Sequence, residues 1–333
     1  MDATLNVSTP ETHPYLSVTV PIYNEGENIP LLYQRAAAAL DALGKPWELI
    51  LVNDGSRDDS SERLDKLAAI DARVHVIHLS RNFGQTAALM AGLDYARGEI
   101  IVPMDGDLQN DPADIHRLLT KLEEGFDVVS GWRKDRKDAR IKRNLPSRIA
   151  NSLISKVSGV HLHDYGCSLK AYRRSVLDGV KLYGEMHRFV PIYAAWNGAK
   201  VAEIEVTHHP RLHGESKYGL ERVIKVVLDL LVVKFLFLYS GKPIYVFGGF
   251  GLISMAASGL VLFAALWLKY FKDLSLIQTP LPTLSVILFA LGILSFLMGF
   301  LAEMLNRTYH ESQAKPVYRI ERIVRLGVRA VEG

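Results

Sequence analysis

The sequence predicts an α/β domain with a mainly parallel sheet, followed by an amphipathic interfacial helix and two transmembrane helices. Three observations support this fold class. Short runs rich in β-branched residues alternate with longer helical patterns in the first part of the chain. An apolar stretch interrupted by charges follows at 218–243. Two apolar runs without charges come last, and each reaches the roughly 20 residues that cross a bilayer core.

Five strands are predicted, each a short apolar run bounded by turn residues. In chain order they are Leu16–Ile22, Trp47–Asn53, Val74–Leu79, Glu99–Met104 and Asp127–Ser130. The helical patterns between them are Asn28–Leu43, Asp58–Ile70, Thr86–Ala96 and Pro112–Glu124. Such alternation is typical of βαβ units, whose parallel sheets are buried on both faces and bind ligands at the carboxyl ends of the strands.

Polar residues collect at three of these strand ends. They occupy 21–25 after the first strand, 53–56 after the second and 105–107 after the fourth. Taken alone, Asn53–Ser56 could be a turn with a helix cap, and Asp-Gly-Asp could be a solvated turn. Three such segments on one edge of a sheet indicate a ligand site instead.

Asp105 and Asp107 directly follow the fourth predicted strand. Because side chains alternate along a strand, we expect Asp105, Asp107 and Gln109 to share one face, and Gly106 lets the backbone turn or a ligand approach. A small set of oxygen ligands suits Mg²⁺ or Mn²⁺, which keep positions for waters and substrate phosphates. The segment is therefore a candidate metal site.

Two nucleotide-binding classes are excluded by their motifs. The turn at 24–27 is not the Gly-rich turn of a dinucleotide oxidoreductase, and the chain lacks the Gly-Lys-Ser/Thr of a phosphate loop. A nucleotide at this edge would be held by a metal on its diphosphate and by side chains. Glu25 and Asp54 are suited to accept hydrogen bonds from ribose or base, and Tyr23 is suited to pack against the base.

The second half of the domain supplies cations beside a carboxylate. Asp164–Lys170 forms one stretch, and Arg211–Tyr218 forms another just before the predicted interfacial helix. Cations there could bind both a leaving diphosphate and a lipid phosphate. For Arg173 and Arg174, a solvated helix start is the preferred interpretation.

The charge pattern predicts a membrane protein of the inner (cytoplasmic) membrane. Ile244–Leu268 and Leu281–Ala302 contain no charged residue, which predicts spans at about 244–269 and 281–305. More cations follow the second run than lie between the runs, so both termini are expected in the cytoplasm. The predicted segments are a disordered tail at 1–14, a cytosolic domain at 15–217, amphipathic juxtamembrane helices at 218–243, a membrane region at 244–306 and a basic cytosolic tail at 307–333. A buried helix of the soluble domain is the alternative for 218–243.

Other partners are constrained by composition. A net charge of +3, without a basic stripe interleaved with aromatics, does not favour nucleic acid. The single cysteine, Cys167, rules out an internal disulfide framework and fits a reduced compartment. Ser254 and Ser258 form a small-xxx-small pair that hints at helix association, and the basic tail could dock on a neighbouring subunit or lie on anionic lipid. A homo-oligomer is therefore left open.

In combination, five segments resemble glycosyltransferase family 2. They are Pro21–Glu25, Val52–Ser56, Ser80–Gln85, Asp105–Gln109 and Gly214–Lys217. The resemblance runs from Leu16 to about Pro316 and is to the polyprenyl-phosphate branch, which includes dolichol-phosphate mannose synthase. Within it the chain is most similar to bacterial undecaprenyl-phosphate glucosyl and aminoarabinosyl transferases with two C-terminal transmembrane helices.

The resemblance implies a GT-A fold and assigns roles to specific residues. It implies nucleotide binding by Pro21, Tyr23, Glu25, Asp54 and Asp105, and metal binding by Asp105, Asp107 and Gln109. It also implies that Asp164 and Lys170 face the sugar or a phosphate, although lysine stands where arginine is common in the family. The donor and acceptor phosphates would be bound by Arg211, Ser216 and Lys217, with Arg133 and Arg148 as further candidates.

The implied reaction is one inverting transfer from a nucleotide sugar to undecaprenyl phosphate, and the catalytic set would be Asp107, Asp164, Lys170, Arg211 and Lys217. UDP-glucose is the preferred donor, with GDP-mannose and UDP-aminoarabinose as alternatives. A processive synthase would need more spans and a Gln-x-x-Arg-Trp motif. A non-catalytic sugar-nucleotide scaffold would lose Asp105 or Asp107, and both are present. A transporter would need a polar path through its spans.

Overall fold

The computed structural model describes residues 13–134, 151, 154–156, 158–178, 186–210, 244–272, 274–312, 318–325 and 328–330. The chain divides into two compact units, one formed by 1–231 with 316–333 and the other by 232–315. Some predictions lie outside the described residues: the amphipathic helices at 218–243, most of the tail at 1–14, and the site residues Arg148, Arg211, Ser216 and Lys217.

The first unit is built on a nine-stranded mixed sheet. The strands are β1 (Leu16–Ile22), β2 (Trp47–Asn53), β3 (Val74–Leu79), β4 (Ile100–Pro103), β5 (Val128–Trp132), β6 (Lys170–Arg173), β7 (Val201–Glu205), β8 (Ile320–Arg325) and β9 (Val328–Ala330). Their spatial order is β7-β5-β6-β4-β1-β2-β3-β8-β9. The central strands β4, β1, β2 and β3 are parallel, whereas β6 and β8 join this group antiparallel. The predicted α/β class is confirmed, and the added strands make the complete sheet mixed.

Helices cover both faces of the sheet. The helices of this unit are α1 (Ile29–Asp41), α2 (Ser60–Ile70), α3 (Gln85–Tyr95), α4 (Ile115–Glu123), α5 (Arg174–Leu177) and α6 (Val190–Trp196). One apolar cluster joins alternate residues of β1 and β2 to α1, α2 and α4, and a second joins the opposite faces of β2 and β3 to α3. Burial on both faces explains why the central strands are continuous apolar runs.

Part of the predicted basic tail is a strand of this sheet. Strand β8 lies antiparallel to β3, and the Ser80 backbone N–H donates to the Arg319 carbonyl at 3.0 Å. The hydroxyl of buried Tyr318 donates to Asp94 on α3 at 2.8 Å. Pairing with β8 covers the edge of β3, which would otherwise present unpaired backbone groups.

The second unit is a helical hairpin of α7 (Ile244–Lys272) and α8 (Leu281–Ser312), so the second helix continues past the predicted end at 305. Val246–Lys272 and Leu281–Ala302 are long and apolar enough to cross a membrane. Ser258 Oγ donates to the Ser285 carbonyl at 2.8 Å, and Ser285 Oγ donates to the Ser258 carbonyl at 3.0 Å. Small residues therefore join these two helices closely, a kind of contact that is common between membrane helices.

Glu48 is a buried carboxylate on β2 that ties three segments together. It accepts hydrogen bonds from Ser17 Oγ at 2.6 Å, from the Arg97 backbone N–H at 2.7 Å and from Arg97 Nε at 3.1 Å. Burial alone would raise the pKa of Glu48, but hydrogen bonds from His75, Ser17 and Arg97 and the Arg97 charge lower it to about 2.

This lowered pKa predicts a specific acid sensitivity. Since the ordinary pKa is 4.5, the stabilisation is complete above pH 4.5 and is lost as the pH falls toward 2. The difference corresponds to about 3 kcal/mol. We expect Glu48→Gln to lower the free energy of unfolding by this order at pH 7 and to flatten its decline in acid, measured by thermal unfolding of the full chain in detergent. Glu62→Gln, at an exposed position on α2, is the control. Equal acid slopes for Glu48→Gln and the wild type would contradict this assignment.

Candidate functional site

Three loops meet at one edge of the sheet. In the parallel register, Ile22 at the end of β1 pairs with Asn53 at the end of β2, and Thr19 pairs with Pro103 at the end of β4. The segments that follow these strands therefore start at neighbouring points. The structure brings together the three polar segments that the sequence singled out.

The loop after β1 is fixed to the loop after β2 by hydrogen bonds. Asn24 has φ 54°, and its backbone N–H donates to Ser56 Oγ at 3.0 Å while its Oδ1 accepts from the Arg57 N–H at 2.8 Å. The Glu25 N–H donates to Ser60 Oγ at 3.1 Å. These bonds fix the backbone of both loops. Tyr23, the first residue after β1, stays at the surface and is 36% exposed.

Asp54 is buried and orders the loop after β3. Its two carboxylate oxygens accept hydrogen bonds from the backbone N–H groups of Phe83 (2.7 Å) and Gly84 (3.0 Å). Burial raises the pKa of Asp54, and the two backbone hydrogen bonds oppose this in part. Gly55 has φ +64°, and a Cβ there would lie 2.4 Å from the Arg81 carbonyl carbon, so only glycine permits this contact between loops.

The acidic segment is a turn rather than an extension of β4. The strand ends at Pro103, so the prediction that strand alternation aligns Asp105, Asp107 and Gln109 was wrong. Leu108 has φ 61°, and Asp107 Oδ1 accepts from the Gln109 backbone N–H at 3.2 Å. A tight turn, not strand alternation, brings the two aspartates together.

Packing fixes this turn against β1 and α3. A Cβ on Gly106 would lie 2.7 Å from Ile22 Cδ1, so a larger residue at 106 would require the Ile22 side chain to shift. Gln85, the first residue of α3, donates from Nε2 to Asp105 Oδ1 at 2.9 Å. The sequence motif that ends at Gln85 thereby contacts the acidic turn directly.

The chemistry of the acidic turn fits a divalent cation. Burial and then the charge of Asp107 raise the pKa of Asp105. A cation between the two carboxylates would relieve this repulsion. Within the described residues, no group of three or more His, Cys, Asp or Glu is arranged to hold a metal. Two carboxylates, with half-buried Gln109 in the same turn, suit Mg²⁺ or Mn²⁺. Oxygens of the substrate would complete the coordination shell of the cation.

Asp164 forms a bidentate ion pair with Arg133, which follows β5. Arg133 Nε lies 2.7 Å from Asp164 Oδ2, and a terminal guanidinium nitrogen lies 3.1 Å from Oδ1. Asp164 Oδ1 also accepts from the Gly166 N–H at 3.1 Å. Burial lowers the pKa of Arg133, but the Asp164 charge outweighs it and the net shift is upward. The carboxylate predicted to face the sugar thus holds an arginine in place.

Lys170 is a buried cation at the start of β6. Its Nζ donates to the backbone carbonyls of Tyr165, at 3.4 Å, and Cys167. Burial lowers the pKa of Lys170. Burial raises the pKa of the Cys167 thiol to about 11, so this cysteine is a neutral thiol at neutral pH.

A cleft lies between the acidic turn, β6 and α3. Its polar lining includes Gln85, Asp105, Ser168, Lys170, His187 and Arg188, and its apolar lining includes Leu89, Leu93, Leu177 and Val190. His187 Nδ1 lies 2.7 Å from Thr86 Oγ1 on α3. Sequence reasoning missed His187 and Arg188, because they sit in a short 3-10 turn with no motif around them.

Comparison with known proteins identifies the family. The profile described as glycosyl transferase family 2 matches residues 17–180. A dodecaprenyl-phosphate galacturonate synthase from Rhizobium johnstonii is 44% identical over 312 residues, which cover 92% of each chain. The chain belongs to glycosyl transferase family 2. This confirms the resemblance that the sequence motifs indicated.

Further relatives in this family are undecaprenyl-phosphate 4-deoxy-4-formamido-L-arabinose transferases. The enzyme from Pseudomonas paraeruginosa is 37% identical and the match covers 95% of this chain and 92% of that one. The enzyme from Shewanella sediminis is 36% identical over 93% of this chain and 92% of its own. All three relatives match this family 2 chain over more than nine tenths of its length.

Among solved structures, glucosyl-3-phosphoglycerate synthase from Mycobacterium tuberculosis shares the fold. In its complex with phosphoglyceric acid, the TM-score is 0.51 at 18% identity, covering 67% of this chain and 80% of that one. The GT-A fold predicted for this family 2 chain is therefore confirmed, with two candidate membrane helices after it.

Proposed function

We propose that this family 2 member transfers one sugar from a nucleoside diphosphate sugar to the phosphate of a polyprenyl phosphate. The observation that carries the proposal is the Asp105–Asp107 pair, which lies beside a cleft lined by Lys170 and Arg188. Carboxylates suited to a cation, next to basic side chains, fit the transfer of a group between two phosphates. The polyprenyl-phosphate transferases among its relatives support the acceptor class.

The nucleoside is proposed to bind across the ends of β1 and β2. Tyr23 is exposed there and is free to pack on a base, and Pro21 lines the adjoining cleft. Glu25 would accept from the ribose or base. Asp54 would act through the loop it orders, because its oxygens already bind the Phe83 and Gly84 backbone.

Asp105 and Asp107, together with Gln109, would hold Mg²⁺ or Mn²⁺. When bound, such a cation neutralises charge on the departing diphosphate. A structure of the mycobacterial synthase contains Mn²⁺ and UDP, which supports a metal in this fold. Arg188 adds positive charge beside the cleft, and Lys170 lines it as a further basic side chain. Arg148, Arg211, Ser216 and Lys217 remain proposed phosphate contacts on the strength of the family resemblance.

In the proposed step, an oxygen of the acceptor phosphate attacks the anomeric carbon from the face opposite the diphosphate. The new C–O bond forms as the bond to the diphosphate breaks, and its electron pair leaves with the diphosphate, so the configuration inverts. A phosphate monoester is already anionic at neutral pH and needs no strong general base. Asp164 accordingly serves to orient Arg133 rather than to accept a proton.

The donor sugar is the least constrained part of the proposal. The family resemblance favoured UDP-glucose, with GDP-mannose and UDP-aminoarabinose behind it. We now place a UDP-linked uronic acid first, because Lys170 and Arg188 in the cleft suit a sugar carboxylate and the 44% identical relative is named for galacturonate.

The catalytic domain is proposed to face the cytoplasm. Strand β8 follows both apolar helices, yet it belongs to the same sheet as β1 to β7. Two spans between parts of one sheet put both parts on the same side of the membrane. The excess of cations after the second span favours the cytoplasmic side.

The test is a donor panel with the full chain in detergent. UDP-galacturonate, UDP-glucose, UDP-4-deoxy-4-formamido-arabinose and GDP-mannose are each incubated with undecaprenyl phosphate and Mg²⁺ or Mn²⁺. Mass spectrometry should show one added sugar on the lipid from one donor and release of its nucleoside diphosphate. Nucleotide binding without a glycolipid product from any donor would favour the non-catalytic scaffold.

A further inference from the structure

A chain of polar contacts leads from the C-terminal strand to the loop after β2. Arg322 on β8 pairs in register with His78 on β3, so their side chains lie on the same face of the sheet. The Arg322 guanidinium lies 2.8 Å from Oδ2 of Asp65 on α2. His78 Nε2 lies 2.9 Å from the other oxygen of Asp65. The carboxylate thereby joins α2, β3 and β8.

The series of polar contacts continues from His78 to Asn53 at the end of β2. His78 Nδ1 lies 3.0 Å from Asn53 Nδ2, and Asn53 Oδ1 accepts from the Ser56 backbone N–H at 3.0 Å. Asn53 Nδ2 also donates to Ser61 Oγ at 2.7 Å. Asn53 and His78 are buried, so water competes little for these bonds.

The donor and acceptor groups allow only one set of directions for the hydrogen bonds in this series. A backbone N–H only donates, so the Asn53 oxygen must face Ser56 and its NH₂ must face His78. His78 then accepts at Nδ1 and carries its proton on Nε2, from which it donates to Asp65. Burial and the Arg322 charge lower the pKa of His78, which favours this neutral form. Every member is satisfied, so displacing one member affects the next.

The last of these polar contacts, at Ser56, lies at the edge of the sheet where the nucleotide is proposed to bind. The Ser56 hydroxyl that accepts from Asn24 ties the β2 loop to the β1 loop, and Gly55 packs on the Arg81–Asn82 peptide. A polar cavity lies beside these contacts and is lined by both Ser56 and Arg322. One wall of that cavity therefore comes from the strand that follows the two apolar helices.

We propose that Arg322 is a positioning residue for the loop at 53–57, acting through Asp65, His78 and Asn53, and thereby sets the affinity for the donor nucleotide. This inference rests on the proposed function. Neither Arg322 nor Asp65 touches the acidic turn, so the contribution belongs to nucleotide binding and not to the chemical step. Sequence analysis treated this arginine only as part of a basic tail.

The experiment compares Arg322→Gln, Arg322→Lys and Asp65→Asn in the full chain. We expect Arg322→Gln and Asp65→Asn to raise the donor KM about tenfold, with kcat within about twofold of wild type. Arg322→Lys keeps the charge and should recover part of the loss. The double variant should be no worse than either single one, because both remove the same link. Glu62→Gln is the matched control, since it breaks an exposed pair with Lys66 on the same helix.

Titration with UDP provides a readout that does not depend on transfer. The same two variants should bind UDP about tenfold more weakly than wild type, whichever UDP-linked sugar is the donor, and GDP replaces UDP in the titration if GDP-mannose is the donor. Unchanged UDP affinity and donor KM in folded Arg322→Gln and Asp65→Asn would overturn the inference, as would a fall in kcat and thermal stability with KM unaltered. If wild type binds UDP but transfers no sugar, the proposed function fails while the positioning role is still measured. If it binds neither UDP nor GDP, both fail.

Discussion

Sugar transfer is expected to fall by about a thousandfold when Asp107 is replaced by asparagine. Asparagine keeps the shape of the side chain but removes one of the two charges proposed to hold the cation. The leaving diphosphate would then lose much of its neutralisation, which at this fold-change corresponds to about 4 kcal/mol of barrier. The fold should persist, because the change removes the Asp107 charge that, after burial, raises the pKa of Asp105.

The measurement is kcat for transfer at saturating Mn²⁺, together with the thermal unfolding temperature. Asp111→Asn is the control, because Asp111 follows in the same segment but pairs with His209 and caps the next turn. The control should retain most of the transfer rate. A rate within about tenfold of wild type for a folded Asp107→Asn would contradict the proposed metal role of this carboxylate.

The second large effect, on stability and on transfer, is expected when the Arg133–Asp164 ion pair is broken. The two side chains are only 11% and 6% exposed, so Asp164→Asn leaves a buried guanidinium without its charge partner. Breaking such a pair is expected to lower the free energy of unfolding by about 3 to 5 kcal/mol. Because Arg133 would also move, transfer should fall in the protein that remains folded.

The pH profile separates this positioning role from general-base catalysis. If Asp164 orients Arg133, the residual transfer by Asp164→Asn should keep the wild-type dependence on pH, since no titrating base has been removed. If the fall of the transfer rate at acidic pH disappeared in the variant, this would instead show that Asp164 accepts a proton. A double variant that replaces both residues with apolar side chains should be more stable than Asp164→Asn, because no unpaired charge stays buried.

The central strands were predictable because their sequences carry their own signal. Strands β1, β2 and β3 begin and end at the predicted residues, since each is an apolar run buried on both faces. Strands β6 and β8 read Lys-Ala-Tyr-Arg and Ile-Glu-Arg-Ile-Val-Arg, and such short, charged segments become strands only through pairing with β4 and β3. Their existence depends on tertiary contacts that a local pattern does not contain.

The site was predictable in residue type but not in its contacts. The sequence indicated Asp54 and Asp164 as polar groups of the candidate site. Their carboxylates, however, bind the Phe83–Gly84 backbone and Arg133, partners distant in sequence. Arg188 was missed altogether, because the chain brings it to the cleft from a short turn that no motif marks.

The most direct test of the central claim measures transfer of radiolabelled sugar to undecaprenyl phosphate by the full chain. The donor is the one selected from the panel, and undecaprenol, which lacks the phosphate, is the control acceptor. The account predicts labelled lipid only with the phosphate acceptor, its loss on addition of EDTA and its return with excess Mn²⁺. Undiminished labelling in EDTA, or equal labelling of undecaprenol, would contradict it.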